Sequence, residues 1–297
     1  MSKFEFPFPR ETRTLDESTR ANLPGSFIEL PAGFTHYQFA GPEQAPLVVL
    51  VHGFSAPYFI WEPTFIGLLS LGFRLLRYDL YGRGFSDRPY VRYDASLFVK
   101  QLADLLDALQ IKKPVNLLGL SMGGVVATQF CLDHPSRVTR LGLIDPAGFP
   151  LRYSLPFKLL FRHGLGEILL ALRGNQDLID SIASDFYEPK HIKQFIDQYR
   201  PQMEFKGFKR ALLSTLRSGI LEKGLPVYQR LGHTDLPVLL LWGEQDHTVP
   251  FMHSAELVSA IPQLQFHPIP DTGHIPHYEK AEIVTPILAE FLRAPAG

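Results

Sequence analysis

Ser121 sits in Gly119-Leu120-Ser121-Met122-Gly123-Gly124, directly after the apolar run Val115 to Leu118 and directly before Val125-Val126-Ala127. The apolar run reads as a strand buried on both faces, and the segment after the glycines reads as the start of a helix. A serine exposed between the two requires a turn so sharp that the strand and helix backbones nearly touch. The residues two before and two after it must then be small, and Gly119 and Gly123 meet that demand. The G-x-S-x-G spacing alone would arise by chance in roughly one chain in ten of this composition, so the flanking strand and helix patterns carry the reading.

A strand-turn-helix unit of this kind belongs in a parallel sheet, and the rest of the chain supplies partners for it. Leu47 to Val51, Phe73 to Tyr78, Val138 to Ile144, Pro237 to Trp242 and Leu264 to Ile269 are short apolar runs that predict further strands. Between them lie amphipathic segments such as Ala95 to Leu109, with Phe98, Leu102, Leu105, Leu106 and Leu109 on one face, and Ala281 to Leu292. The expected fold class is therefore α/β, a mostly parallel sheet covered by helices on both faces. The alternation stops between about Gly148 and Leu236, where Leu155 to Leu172, Asp177 to Ser184, Pro189 to Tyr199 and Phe208 to Ser218 all read as helices. Residues 148–236 are accordingly expected to form a helical lid inserted between a first core segment, 1–147, and a second, 237–297. Met1 to about Asn22 is polar and proline-punctuated, and is expected to lie as an arm on the domain or to be partly disordered.

Composition narrows the function classes. With 297 residues, 45% of them hydrophobic and 20% charged, the chain can bury a large core. A formal net charge of -1 gives no reason to expect nucleic acid as a partner. The single cysteine, Cys131, excludes an intrachain disulfide and reads as a buried helix residue. The N-terminus has no apolar stretch long enough for a secretory signal, so the expected location is cytoplasmic.

Ligands bind at the carboxyl ends of the strands in an open parallel sheet, so polar residues there are the first candidates for chemistry. His52-Gly53-Phe54-Ser55, Ser121, Gly243-Glu244-Gln245-Asp246 and Asp271-Thr272-Gly273-His274 all fall at such ends. In chain order they offer a nucleophile, Ser121, a carboxylate, Asp246, and a base, His274. Asp145, at the end of Val138 to Ile144, competes with Asp246 for the carboxylate role.

The motifs VLVHGF, RYDLYGRGFSDRP, LLGLSMGG, LWGEQDHTVP and DTGHIPHYEKAE together resemble those of serine hydrolases with the α/β-hydrolase fold, over roughly Phe34 to Leu292 and least in the helical stretch. The resemblance implies that His274 takes the proton of Ser121 as it attacks an acyl carbonyl, and that Asp246 holds the imidazole in one tautomer and stabilises the imidazolium. Asp246 is preferred over Asp145 because its turn matches the family's usual acid loop. The backbone N–H groups of Phe54 and Met122 are the implied oxyanion donors, and neither a cofactor nor a metal is called for. His52 is expected to shape its loop, and Asp79, Arg83, Gly84 and Asp87 to form turn and ion-pair scaffolding.

Within that family, epoxide hydrolases and haloalkane dehalogenases carry an aspartate where this chain has Ser121. Ring-cleavage C–C hydrolases commonly have asparagine just before the serine, where this chain has Leu120. The expected activity is cleavage of small or medium-chain carboxylic esters, monoacylglycerol-like ones included. C–C hydrolysis of ring-cleavage dienoates and cofactor-free haloperoxidase or perhydrolase chemistry are the alternatives. A non-enzymatic receptor on the same fold is disfavoured by the presence of all three residues. The segment Leu155 to Leu172 is rich in Leu and Phe, and Pro150 to Arg230 carries 13 Lys and Arg against 8 Asp and Glu. A basic segment with an apolar face suits an acyl chain or peripheral contact with a lipid surface; packing on the main domain would account for the same pattern.

Overall fold

The computed structural model describes residues 6–150 and 153–294. Eight strands form one sheet in the order β1-β2-β4-β3-β5-β6-β7-β8. They are β1 (Ser26–Leu30), β2 (Gly33–Ala40), β3 (Leu47–Val51), β4 (Arg74–Tyr78), β5 (Val115–Leu120), β6 (Val138–Ile144), β7 (Val238–Gly243) and β8 (Leu264–Ile269). From β4 to β8 every pairing is parallel, while β2 runs antiparallel to both β1 and β4.

The central strands are apolar because they have no wet face: β3, β5 and β7 are buried at every position. Alternate side chains feed two cores. Val49, Val51 and Leu117 pack with Phe98, Leu102 and Val126 on one side, and Val48, Leu50 and Leu118 pack with Trp61, Phe65 and Leu288 on the other. The helices that cover the two faces include Ala95–Ala108, Met122–Asp133 and Ala281–Arg293.

Three expectations differ from the structure. The hairpin of β1 and β2 is absent from the sequence prediction, since the two fully buried positions of β2 are the polar Thr35 and His36. β8 is not covered on both faces; it pairs only with β7 and alternates partly buried and exposed residues along most of its length. The expected helix Leu155 to Leu172 breaks at Gly164, which adopts φ +81° and donates its N–H to Glu167 Oε2 at 2.7 Å. A short helix, Leu155–Lys158, precedes the break, and Leu165–Ser184 follows it without interruption at Asp177.

Between β6 and β7 the described residues add no strand to the sheet and are chiefly helical, over Leu165–Ser184, Ile192–Tyr199, Phe208–Ser218 and Leu225–Leu231. The N-terminal arm lies against this insertion. Phe8 packs on Leu170 and Leu213, Glu11 accepts the N–H groups of Gly207 and Lys209 at 2.7 Å each, and Arg13 bridges to Phe205. No helix among the described residues is long and apolar enough to cross a membrane.

The turn after β5 is where tolerance is smallest. A Cβ on Gly123 would lie 2.2 Å from the Val51 carbonyl oxygen and 2.6 Å from that of His52, both backbone atoms of the neighbouring strand end. Gly123→Ala should therefore cost about 3 kcal/mol or more in thermal or denaturant unfolding. Gly72→Ala, at φ +85° with no atom within 4 Å of the added carbon, should cost only about 1–2 kcal/mol from backbone conformation.

Candidate active site

Ser121 adopts φ +52° and ψ -122°, a conformation that non-glycine residues rarely hold. Neighbours over-determine it. Its N–H donates to the Ile144 carbonyl at 2.9 Å, and its own carbonyl accepts from Gly124 at 2.9 Å and Ala147 at 3.0 Å. A Cβ on Gly53 would stand 3.2 Å from Ser121 Cβ and 3.7 Å from Oγ, so the loop after β3 lies against the serine.

The loops after β7 and β8 bring Asp246 and His274 together at the same edge of the sheet. His274 Nδ1 donates to Asp246 Oδ2 at 2.7 Å, with both side chains buried. Asp246 Oδ1 accepts the N–H groups of Thr248 at 2.8 Å and Val249 at 2.9 Å, so its turn role and its contact with the imidazole use different oxygens. Burial alone would lower the His274 pKa, but the charge and hydrogen bond of Asp246 outweigh it and raise the value. Asp145 makes no bond to the histidine; its Oδ1 accepts the Gly243 N–H at 2.8 Å. One donor atom each from Asp145, Asp246 and His274 lie within 4.8 Å of one another, close enough for a metal ion. The direct bond of His274 Nδ1 to Asp246 places the proton on that nitrogen, which leaves it no lone pair for a metal.

Around the candidate oxyanion donors the scaffold is explicit. Met122 is the first residue of the helix Met122–Asp133, where an N–H has no partner within the helix. Phe54 is held through its carbonyl, which accepts from Arg83 Nε at 2.7 Å. His52 Nε2 accepts the Leu80 N–H at 2.9 Å and its Nδ1 donates to the Gly53 carbonyl at 2.9 Å, while burial lowers its pKa to about 4. A neutral ring in one tautomer thus ties the loop after β3 to the end of β4. Asp79 accepts the N–H groups of Tyr58 at 2.7 Å and Phe85 at 2.9 Å and pairs with His36 at 2.7 Å. Asp87 pairs with Arg20 at 2.6 Å, and a Cβ on Gly84 would strike Asp79 at 2.0 Å.

Four residues outside the expected set have a part in holding this site, and all but one lie in the helical insertion. Arg83 donates to Thr215 Oγ1 at 2.8 Å, and Gln202 Nε2 donates to the Ser55 carbonyl at 3.1 Å while its Oε1 accepts from Gly84 at 2.7 Å. Asp185 accepts the His274 N–H on its carbonyl at 2.8 Å and the Thr248 hydroxyl on Oδ1 at 2.5 Å. Glu279, inside the DTGHIPHYEKAE motif, accepts from Gly273 on one oxygen and from Tyr187 and Glu188 on the other, each at 2.8 Å. The signals that could have found them are long-range contacts.

A serine held in a strained turn and an imidazole bonded to a carboxylate thus stand at the same edge of the sheet. The chain belongs to the alpha/beta hydrolase fold family, whose model matches residues 46–281. It is 26% identical to the AB hydrolase superfamily protein YisY of Bacillus subtilis, over 82% of this chain and 90% of that protein. It is 28% identical to a 2-hydroxy-6-oxo-6-phenylhexa-2,4-dienoate hydrolase of Comamonas testosteroni, over 87% of this chain and 91% of the relative. Its fold is similar to that of the enol-lactonase from Burkholderia xenovorans LB400, with a TM-score of 0.76 and 22% identity, covering 91% of this chain and all of that one.

The imidazole pKa gives a check that needs no substrate. NMR titration of His274 should place it above the ordinary histidine value of about 6.5. In Asp246→Asn the charge is gone and burial remains, so the same resonance should titrate below about 6.5.

Proposed function

We propose that this chain is a serine hydrolase that cleaves carboxylic esters of small or medium-chain acyl groups, monoacylglycerol-like ones included, through an acyl-enzyme on Ser121. The observation that carries the reading is the strained Ser121 turn at the same sheet edge as the 2.7 Å His274–Asp246 pair. With Nδ1 committed to Asp246, Nε2 of His274 is the nitrogen free to accept the Ser121 proton as the hydroxyl attacks the ester carbonyl. The negative charge that develops on that oxygen would be met by the N–H groups of Phe54 and Met122. The imidazolium then protonates the leaving alcohol, and water repeats the sequence to release the acid.

The insertion acts in this reading as a lid. Phe186 and Phe195 from the insertion pack with Phe59 and Tyr278 from the core beside the His274 loop, which joins the insertion to the core through apolar rings. Leu155, Leu159, Leu165, Ile168 and Leu172 are exposed on the outside, with Lys158, Arg162 and Arg173 exposed among them. That combination supports peripheral contact with an anionic lipid surface, from which acyl substrates would be drawn. C–C hydrolysis is the second reading, favoured by the dienoate hydrolase relative. Against it stands the apolar Leu120 before the serine.

A fluorophosphonate should label Ser121 alone, and Ser121→Ala should abolish both labelling and turnover. Asp246→Asn should lower kcat by about 10⁴, the cost of an imidazole in the wrong tautomer. In a p-nitrophenyl ester series run beside a ring-cleavage dienoate, esters should be the better substrates by kcat/KM. A preference for the dienoate would move the reading to C–C cleavage, and labelling that survives Ser121→Ala would end the assignment of the nucleophile.

A further inference from the structure

Asp145 is fully buried at the carboxyl end of β6, beside β7. One of its oxygens accepts the Gly243 N–H, and the other, Oδ2, is buried without a donor to accept from. Its carboxyl lies with those of Asp246 and the ring of His274 inside a 4.8 Å cluster. Two carboxylates this close in a dry site do not both hold a charge, and the surroundings decide which one does. Asp246 receives three donors, the Thr248 and Val249 N–H groups and His274 Nδ1, all of which favour its ionised form. Asp145 receives one N–H, and its second oxygen lacks a donor, as the hydroxyl of an acid would.

We propose that Asp145 is a neutral carboxylic acid that donates its Oδ2–H to the Asp246 carboxylate, and so acts as a positioning residue for the Asp246–His274 pair. The proposal rests on the reading of that pair as the proton-transfer unit. Its consequence is electrostatic. A hydrogen bond donated to Asp246 draws off part of its charge and tempers its pull on the imidazolium, keeping His274 neutral, and therefore basic, at lower pH than a bare carboxylate would allow.

The titratable groups facing this cluster agree with the assignment. Asp246 comes from the loop after β7, His274 from the loop after β8, Asp185 from the end of Leu165–Ser184, and His277 and Glu279 from the helix Pro276–Glu279. Burial first, and then the charge of Asp246, pushes the Asp145 carboxyl well above the carboxylate range. Burial also raises Asp185 to about 6 and raises Glu279, and it lowers His277 to about 3, so that ring stays neutral.

Asp145 has φ +42°, a backbone conformation that asparagine tolerates and glycine prefers. That allows two informative substitutions. Asp145→Asn keeps an acceptor for Gly243 and an N–H donor for Asp246, so it imitates the neutral acid. Asp145→Gly removes the carboxyl without backbone strain. The acid limb of kcat/KM and the NMR titration of His274 should stay within about 0.3 pH unit of wild type in Asp145→Asn, with plateau activity within about threefold, and move up by about one unit in Asp145→Gly.

If Asp145 were ionised, both substitutions would remove a negative charge beside His274 and move its titration down, which overturns the proposal. An infrared difference spectrum of wild type minus Asp145→Asn near neutral pH should show the carbonyl stretch of a protonated carboxyl, and its absence overturns the proposal equally. The infrared and NMR measurements need no substrate, so they stand whether or not the protein cleaves esters, and the asparagine variant suffices should the glycine variant fail to fold.

Discussion

The structure depends on one close approach, that of the turn after β5 to the end of β3. Gly123 lies so near the carbonyl oxygens of Val51 and His52 that no side chain fits, and Gly119 is closed off by the Gly123 carbonyl in the same way. This contact holds Ser121 at a positive φ, sets the first N–H of the following helix beside it and fixes where the His52-Gly53-Phe54 loop must pass. Strain of about 1–3 kcal/mol at one residue is sustained because the two adjoining strands are buried throughout and the helix is buried over its first seven residues. The elbow is thus a consequence of packing, and the chemistry proposed for it is a consequence of the elbow.

The remaining parts of the site are tied to the helical insertion as much as to the sheet. Thr215 and Gln202 bond to the residues that carry the Phe54 loop, and the Asp185 carbonyl together with Tyr187 and Glu188 grips the loop that bears His274. Displacing the segment 185–188 would break the bond to the His274 N–H and both Glu279 bonds at once. The insertion and the loop that bears His274 are therefore joined through backbone hydrogen bonds.

Much of this was legible in the sequence where a physical constraint is local. Strands buried on both faces have to be apolar, which is why β3, β5, β6 and β7 stand out as runs, and the elbow demands glycine at fixed offsets. The β1–β2 hairpin escapes the same reading because Thr35 and His36 fill its buried positions with polar groups whose partners, Gln101, Ser86 and Asp79, are distant in the chain. The break at Gly164 was hidden by leucines that continue on either side of it. Asp246 and Asp145 offer the same residue type at adjacent strand ends; the acid-loop turn favours Asp246 in the sequence, and in the structure it is Asp246 that bonds to His274, at 2.7 Å. Asp185, Gln202, Thr215 and Glu279 act across tens to hundreds of residues, a distance over which spacing carries no information.

The central claim is covalent: Ser121, made reactive by its turn and by His274, takes the acyl group from an ester. The direct measurement is rapid-quench intact-protein and peptide mass spectrometry during turnover of a p-nitrophenyl ester. The account predicts a burst of one p-nitrophenolate per chain, with the acyl mass added to the peptide that contains Ser121. Turnover without a burst, together with an unmodified Ser121 peptide or an adduct on another residue, would contradict it.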